Sequence, residues 1–117
     1  MALTFTKVAL SGASNGLAVK VAATATAGTL IHTAVTGTAS FDEIWLWAYN
    51  SDTVSRLLTV EYGGATAPDN NIAVTVPSKS GLMLVVPGLI LQNSLTVKAF
   101  AAAANVVTLS GYVNRMA

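Results

Sequence analysis

The chain contains no cysteine, one histidine and very few charged residues. Of its 117 residues, 9% are Asp, Glu, Lys or Arg, whereas ordinary globular domains carry about 25%. The absence of cysteine excludes disulfides, thiolate metal sites and cysteine nucleophiles. Because His32 is the only histidine, a metal site built from several imidazoles is also excluded.

The few charges are balanced and scattered along the chain. Six basic and five acidic residues give a formal net charge of +1. The basic residues are Lys7, Lys20, Arg56, Lys79, Lys98 and Arg115. Nucleic-acid binding relies on clustered Lys and Arg that neutralise phosphates, so we expect no nucleic-acid partner. A bland, nearly neutral surface protects weakly against self-association, which suits a protein that works inside an assembly.

Long apolar segments are also missing, although the mean hydropathy is +0.61. The most apolar run, LMLVVPGLIL, is interrupted by Pro87-Gly88 and is shorter than the roughly 20 residues that a spanning helix needs. The N-terminal residues lack the basic region and unbroken apolar core of a signal peptide. We therefore expect a soluble protein without a signal peptide and with no membrane partner.

What the chain has in abundance is alternation of apolar and polar residues with many β-branched side chains. Short strands are predicted over residues 4–10, 17–26, 29–36, 43–50, 56–62, 72–76, 82–86, 89–91, 94–100 and 106–113. Residues 56–62 are most simply the hairpin partner of 43–50, and the alanine run 101–105 is the one plausible helical turn. Turn signals at short intervals predict one all-β domain over residues 1–117, an antiparallel β-sandwich of roughly eight strands. A jelly roll is the first choice and another Greek key the second.

The segment EIWLWAYN (43–50) is apolar on both parities of a strand. Trp45, Trp47 and Tyr49 share one parity, and aliphatic residues occupy the other. The first interpretation of the aromatic parity is an intramolecular core, because large aromatic side chains favour burial. A subunit interface and a platform for sugar rings are the alternatives.

No residue pattern predicts catalysis, a cofactor or a metal. His32 reads as a strand histidine, partly buried or at the surface, with a hydrogen bond, since no nucleophile-elbow motif accompanies it. Asp42 and Glu43 are adjacent and should point to opposite faces of a strand, so they make a poor glycosidase pair. Residues 69–71, Asp-Asn-Asn, offer oxygen ligands to Ca²⁺ but follow Ala-Pro and read as a turn. We predict that the protein is not an enzyme.

Several segments together resemble small virion proteins of tailed bacteriophages. These segments are the IHTA start of a strand, DEIWLWAYN, LTVEYGG, VVPGLIL and the terminal GYVNR, within residues 28–115. The resemblance implies a capsid decoration, or cement, protein that binds the major capsid protein on the outer surface of a phage head. It also implies a homo-oligomer, with a trimer favoured, that is made in the host cytoplasm and located in the virion.

Residues 1–7 precede the resembling region and alternate apolar and polar. With Leu3 and Phe5, they are predicted to form an N-terminal arm that adds a strand to a neighbouring subunit or to the capsid protein. Interface candidates are therefore Leu3, Phe5, Trp45, Trp47 and Tyr49. The alternative functions are a neck, tail-tip or fibre-attachment protein, and a small carbohydrate- or receptor-binding module.

Overall fold

The protein is an all-β sandwich of two antiparallel sheets. The computed structural model describes residues 3–117. Its strands are β1 (Phe5–Ala9), β2 (Val19–Lys20), β3 (Thr29–Thr33), β4 (Phe41–Asn50), β5 (Arg56–Tyr62), β6 (Asn71–Val76), β7 (Met83–Leu91), β8 (Thr96–Ala101) and β9 (Val107–Met116). Sheet A has the order β1-β9-β4-β7, with β2 also paired to β9, and sheet B has the order β3-β8-β5-β6. The predicted sandwich is confirmed.

The strand pairing has the topology of a jelly roll. Strands β1 and β2 lie along β9, β3 pairs with β8, β4 with β7, and β5 with β6, all antiparallel. The chain crosses from one sheet to the other at almost every connection. Among the strands of five or more residues, only β5 and β6 follow each other within the same sheet. Two Greek keys arranged in this way define the fold that was the first choice from the sequence.

The core lies between the sheets and is built from small and medium aliphatic side chains. Strand β4 contributes Ile44, Leu46 and Ala48, each 0% exposed. Sheet B faces them with residues such as Leu58 and Val60 of β5, which are equally buried. Burial of such alternating side chains from both inner faces is what holds a sandwich together.

The sequence patterns placed most strands correctly but assigned one pairing wrongly. Residues 56–62 do form β5, yet β5 pairs with β6 and β8 in sheet B, while β4 belongs to sheet A. The predicted hairpin of 43–50 with 56–62 is therefore wrong. A short loop between consecutive strands is compatible with a crossing between sheets as well as with a hairpin, and alternation alone does not distinguish them.

Other predicted elements differ in extent or in kind. The strand predicted over 17–26 is reduced to Val19–Lys20, and further along the chain the Thr26 hydroxyl and the Gly28 N–H donate instead to the Glu61 carboxylate of β5 in sheet B. Strand β7 runs through Pro87-Gly88 without ending, with register shifts where it pairs with β4. Residues 101–105 form no helix: Ala101 ends β8, and residues 102–105 lie in the bend and turn between β8 and β9.

Within residues 3–117, no helix has the length and apolar character needed to cross a membrane.

Candidate functional site

Strand β4 separates its two kinds of side chain between the two faces of sheet A. The aliphatic parity is buried, whereas Trp45, Trp47 and Tyr49 on the other parity are half-buried on the outer surface. The interpretation of these aromatic residues as intramolecular core is thus wrong. Sheet B covers only the inner face of sheet A, and its small aliphatic side chains fit Ile44, Leu46 and Ala48 rather than indole rings.

The rings on this outer surface lie on neighbouring strands of sheet A, and we call this surface the aromatic face. It consists of Phe5 of β1, Trp45, Trp47 and Tyr49 of β4, and Tyr112 of β9. The ring centroids of Trp45 and Trp47 lie 6.3 Å apart with planes 20° from parallel. Tyr112 joins the group through Trp47, at a centroid distance of 6.0 Å and an angle of 32°. Such separations are typical of favourable aromatic pairs.

Tyr112 enters the face through the pairing of β4 with β9. In that register Trp45 lies opposite Tyr112, and Phe41 opposite Met116. Phe5 also pairs with Met116 and is 59% exposed, so it stands at the margin of the same surface. Leu3, 46% exposed, precedes β1. The structure therefore brings four of the five predicted interface candidates onto one face, with Leu3 at its edge.

The Trp45 indole is held against the backbone of the neighbouring strand. Gly88 has a φ of +77°, and a Cβ atom at that position would lie 2.7 Å from Cζ2 of Trp45. Glycine is required here twice, once for the left-handed backbone and once for the space that the ring occupies. Because an α-carbon without a side chain faces the ring, the indole is fixed close to the sheet.

Hydrogen bonds fix the Trp45 ring further. Its Nε1 donates to Oε1 of Glu43 at 2.8 Å, and Nδ2 of Asn114 donates to the same oxygen at 3.0 Å. The hydrogen bond from Trp45, followed by that from Asn114, lowers the pKa of the Glu43 carboxyl. Glu43 thus stays ionised and occupied by partners within its own chain.

Lys7, which carries the positive charge beside these rings, also has a partner within the chain. Nζ of Lys7 lies 4.5 Å from the centroid of the Tyr112 ring, within the range of a cation–π interaction. Both Lys7 and Glu43 therefore have partners on the face itself. Their formal charges are opposite, so this pair adds no net charge to the face.

Strand β7 extends the face with exposed apolar side chains. In the pairing with β4, Leu84 lies opposite Trp47 and Pro87 opposite Trp45. Leu84 is 43% exposed, and Ile90, opposite Glu43, is 56% exposed. An apolar surface that runs across neighbouring strands is characteristic of a site that contacts another molecule.

A second group of polar side chains is buried at one end of the sandwich. Asp42 and His32 are 0% exposed, and their Oδ2 and Nε2 atoms lie 2.7 Å apart. Arg115 donates to the same carboxylate through Nε and Nη2, at 2.8 and 3.0 Å. Burial opposes ionisation of Asp42, but the hydrogen bonds from Arg115 and His32 outweigh it and lower the pKa of this carboxyl.

The His32 ring is positioned for structure rather than for proton transfer to a nucleophile. Its Nδ1 accepts from the backbone N–H of Ser11 at 3.0 Å, so Nε2 carries the proton and donates to Asp42. The Ser11 hydroxyl accepts instead from the backbone N–H of Thr33 at 2.7 Å. A serine–histidine–aspartate mechanism needs the hydroxyl on the imidazole, and this arrangement lacks that contact. The prediction of a partly exposed histidine is corrected to a fully buried one.

Asp42 and Glu43 point to opposite faces, as predicted. Asp42 is buried in the network described above, and Glu43 lies on the aromatic face. The two carboxyls therefore do not converge on one substrate bond. The segment 69–71 lies at the turn before β6, and Asn71 is the first residue of that strand.

The other buried carboxylate, Glu61 of β5, secures a loop. It is 2% exposed, and it accepts from the Thr26 hydroxyl at 2.8 Å and from the Gly28 N–H at 2.7 Å. A cleft of about 110 Å³ beside it is lined by Ala27, Glu61, Gly64, Ala65, Thr96 and Lys98. A volume of this size holds a few water molecules. Across residues 3–117, no group of three or more His, Asp or Glu side chains is arranged to hold a metal ion.

Sequence reasoning found Trp45, Trp47 and Tyr49 but missed Lys7, Gly88 and Tyr112. These three residues reach the face through pairing of β4 with β7 and β9 and of β9 with β1, which join distant parts of the chain. No local pattern in the sequence marks them.

Comparison of the chain with protein-family models, with curated proteins and with solved structures finds no match.

Proposed function

We propose that this chain is a structural virion protein that decorates the outside of a bacteriophage head, and that it docks on the major capsid protein through the aromatic face. The observation that carries the proposal is the outward, partly exposed position of Trp45 and Trp47 on a central strand of sheet A. The resemblance of residues 28–115 to small phage virion proteins supplies the kind of partner.

The chemistry of the face suits permanent attachment to a protein surface. Large rings that are already held in place lose little conformational entropy on binding. Gly88 and Glu43 hold Trp45, and Tyr112 and Trp45 flank Trp47. Aromatic residues of this kind are enriched among those that dominate binding energy at interfaces.

The partner surface should be apolar and close to neutral. Lys7 and Glu43 carry opposite charges and both have partners within the chain, so the face has no net charge from this pair and docking through it depends little on long-range charge attraction. Salt screens only such charge interactions effectively. We therefore expect attachment to particles to persist at high ionic strength.

The direct test is quantitative mass spectrometry of purified particles from the source of the sequence. Amounts comparable to the major capsid protein support decoration of the head. A few copies per particle would move the protein to the neck, tail tip or fibre attachment, and complete absence would reject the virion role.

The surface is tested by binding purified Trp47→Ala protein to particles stripped of this chain. We expect loss of binding with the fold retained. Leu57→Ala is the matched control, because Leu57 is 50% exposed on β5 in sheet B. Equal loss of binding in both variants would contradict docking through the aromatic face.

A second candidate function is carbohydrate binding, favoured by the nearly parallel indole rings of Trp45 and Trp47 and the polar Glu43 and Asn114 beside them. Sugar rings pack on aromatic faces while neighbouring polar groups bind the hydroxyls. In this case, titration with glycans changes tryptophan fluorescence, and Trp47→Ala abolishes that response. Protein docking predicts no response to glycans.

A further inference from the structure

Among residues 3–117, the two sheets have four edge strands, and three of these edges are blunted or covered. Strand β7 carries Pro87 and two register shifts, and proline and bulges both interrupt pairing with another strand. The edge of β3 is covered by the chain after β1, where the Gly12 N–H donates to Ile31 O at 2.9 Å and Ser11 Oγ accepts from Thr33 N–H. Strand β1 has Lys7 at its centre, so pairing with its own copy would place two ammonium groups together.

The fourth edge, β6, has none of these features. The six residues of Asn71–Val76 contain no charge and no proline, and they pair with β5 without a register shift. Exposed edges of this kind are templates for pairing with another chain. The β6 edge is therefore the place where sheet B is open to extension.

The direction of the backbone groups on β6 follows from its pairing with β5. The Tyr62 N–H donates to Asn70 O at 2.6 Å, so the alternation of an antiparallel ladder turns the N–H and C=O groups of Ala73 and Thr75 away from β5. Both residues are exposed. Among residues 3–117, their backbone groups make no hydrogen bond with a backbone group outside the strand ladders.

The sequence around β6 is complementary to itself in one antiparallel register. A two-fold axis at Val74 places Ala73 opposite Thr75 of a second copy, so that their outward N–H and C=O groups form reciprocal hydrogen bonds. In the same register, the turn before β6 that carries Asp69 faces the turn after β6 that carries Lys79 of the second copy, because these two residues lie at equal distances in sequence on either side of Val74. Two neighbouring registers, with the two-fold axis at Ala73 or at Thr75, also bring outward backbone groups opposite each other. In both of these registers, Asp69 and Lys79 no longer lie at matching positions.

We propose that two copies of this chain associate through antiparallel β6–β6 pairing about Val74, joining their B sheets into one continuous sheet. The second copy also covers Ile72 and Val74, which are only partly buried in the single chain. Opposite charges at both ends fix the register. Because β6 belongs to sheet B, the contact leaves the aromatic face of sheet A free, and it is independent of the proposed docking on a capsid.

Sedimentation velocity of the full chain over a range of concentrations tests the proposal. We expect a concentration-dependent species of twice the 11.9 kDa chain mass. Thr75→Lys adds a charge at the open edge and should abolish that species. Thr38→Lys is the matched control on the exposed loop between β3 and β4 and should leave it unchanged.

Charge reversal tests the register itself. Asp69→Lys and Lys79→Asp should each raise the dissociation constant on the order of tenfold, since two attractive pairs become repulsive. The double variant, Asp69→Lys with Lys79→Asp, should restore the wild-type constant. Thermal unfolding of each variant shows whether it is folded.

Three results would overturn the proposal: a wild-type chain that stays monomeric throughout, a dimer that survives Thr75→Lys, or a double variant that remains as weak as the single ones. Loss of the dimer in Trp47→Ala but not in Thr75→Lys would also overturn it, by assigning self-association to the aromatic face.

Discussion

The guanidinium of Arg115 holds the buried carboxylate of Asp42 through two hydrogen bonds, Nε to Oδ1 at 2.8 Å and Nη2 to Oδ2 at 3.0 Å. This pair ties the last strand, β9, to β4 at one end of sheet A. His32 and the Val35 N–H bind the same carboxylate at 2.7 and 3.2 Å. The Asp42 side chain thus connects its own strand, β4, with β9 and with the segment 32–35.

Removing Arg115 should destabilise the fold strongly. Arg115→Ala leaves the Asp42 carboxylate buried with its main cation lost, which is expected to cost about 3 kcal/mol of unfolding free energy. Arg115→Lys keeps the charge but not the two parallel hydrogen bonds, so its cost should be intermediate. Urea unfolding measures both. Arg115→Ala with wild-type stability would show that the pair contributes nothing to the fold.

The Asp42 carboxyl group should make the free energy of unfolding depend on pH in the acid range. The pKa of Asp42 is lowered in the folded protein from its ordinary value of 3.8, so its stabilising contribution is complete above that value. This contribution is lost as the pH falls through the lower pKa of the folded state. The Asp42→Asn variant should therefore have a lower free energy of unfolding at neutral pH, and this free energy should change less as the pH falls.

Urea unfolding at a series of pH values checks this prediction. Asp52→Asn is the control, because Asp52 is a surface carboxylate whose pKa is lowered by the Thr53 backbone N–H and by Arg56. Solvent screens that group, so its removal should alter the acid dependence less. A larger change in Asp52→Asn than in Asp42→Asn would contradict the assignment.

The two parities of β4 should differ in their effect on stability. Leu46 is fully buried, and Leu46→Ala should cost about 2–5 kcal/mol. Trp47 contacts Trp45 and Tyr112 on the outer surface and is partly exposed there, so Trp47→Ala leaves no enclosed cavity and should cost less than Leu46→Ala, although it loses two aromatic contacts of about 0.5–1.5 kcal/mol each in addition to buried ring area. Denaturant unfolding of both variants measures the difference. The reverse order would mean that the rings belong to a core.

Gly88 should matter for the Trp45 ring beyond its backbone conformation. Gly88→Ala and Gly37→Ala both place alanine at a positive φ, +77° and +78°, which should cost each variant about 1–2 kcal/mol. Only at Gly88 does the new Cβ meet the indole, since nothing lies within 4 Å of a Cβ at Gly37. Gly88→Ala alone should shift the tryptophan emission spectrum. Identical spectra for the two variants would contradict the contact.

The N-terminal arm has a partner within its own chain. Strand β1 pairs with β9 from Phe5 to Ala9, and Met1 and Ala2 lie outside the described residues. Deleting residues 1–7 should leave the fold intact, since Leu3 and Phe5 are 46% and 59% exposed, but should weaken binding to particles. Far-UV circular dichroism and particle binding test the two parts. Undiminished binding would contradict a docking role for the arm.

Local alternation was sufficient to predict most strands and the sandwich, because the alternation of apolar and polar side chains along a strand is visible in neighbouring residues. Residues 56–62 were placed as a strand with the observed bounds. The partner of that strand was predicted wrongly, since the choice between a hairpin and a crossing depends on how the two whole sheets pack. Likewise, burial of Leu46 rather than Trp47 is set by the aliphatic residues of sheet B that face β4, and these are distant in sequence.

The alternation along β4 also affects which mutations the protein can accept during evolution. Positions that face inward are constrained by packing, whereas their immediate neighbours face outward and are constrained only by whatever they contact. Substitutions at Trp45, Trp47 or Tyr49 can therefore follow a changing partner surface while Ile44, Leu46 and Ala48 preserve the sandwich. An insertion of a single residue in β4 has the opposite effect, since it exchanges the two sets and places indole rings in the core. Adaptation of this face should proceed by substitution, with the length of β4 unchanged.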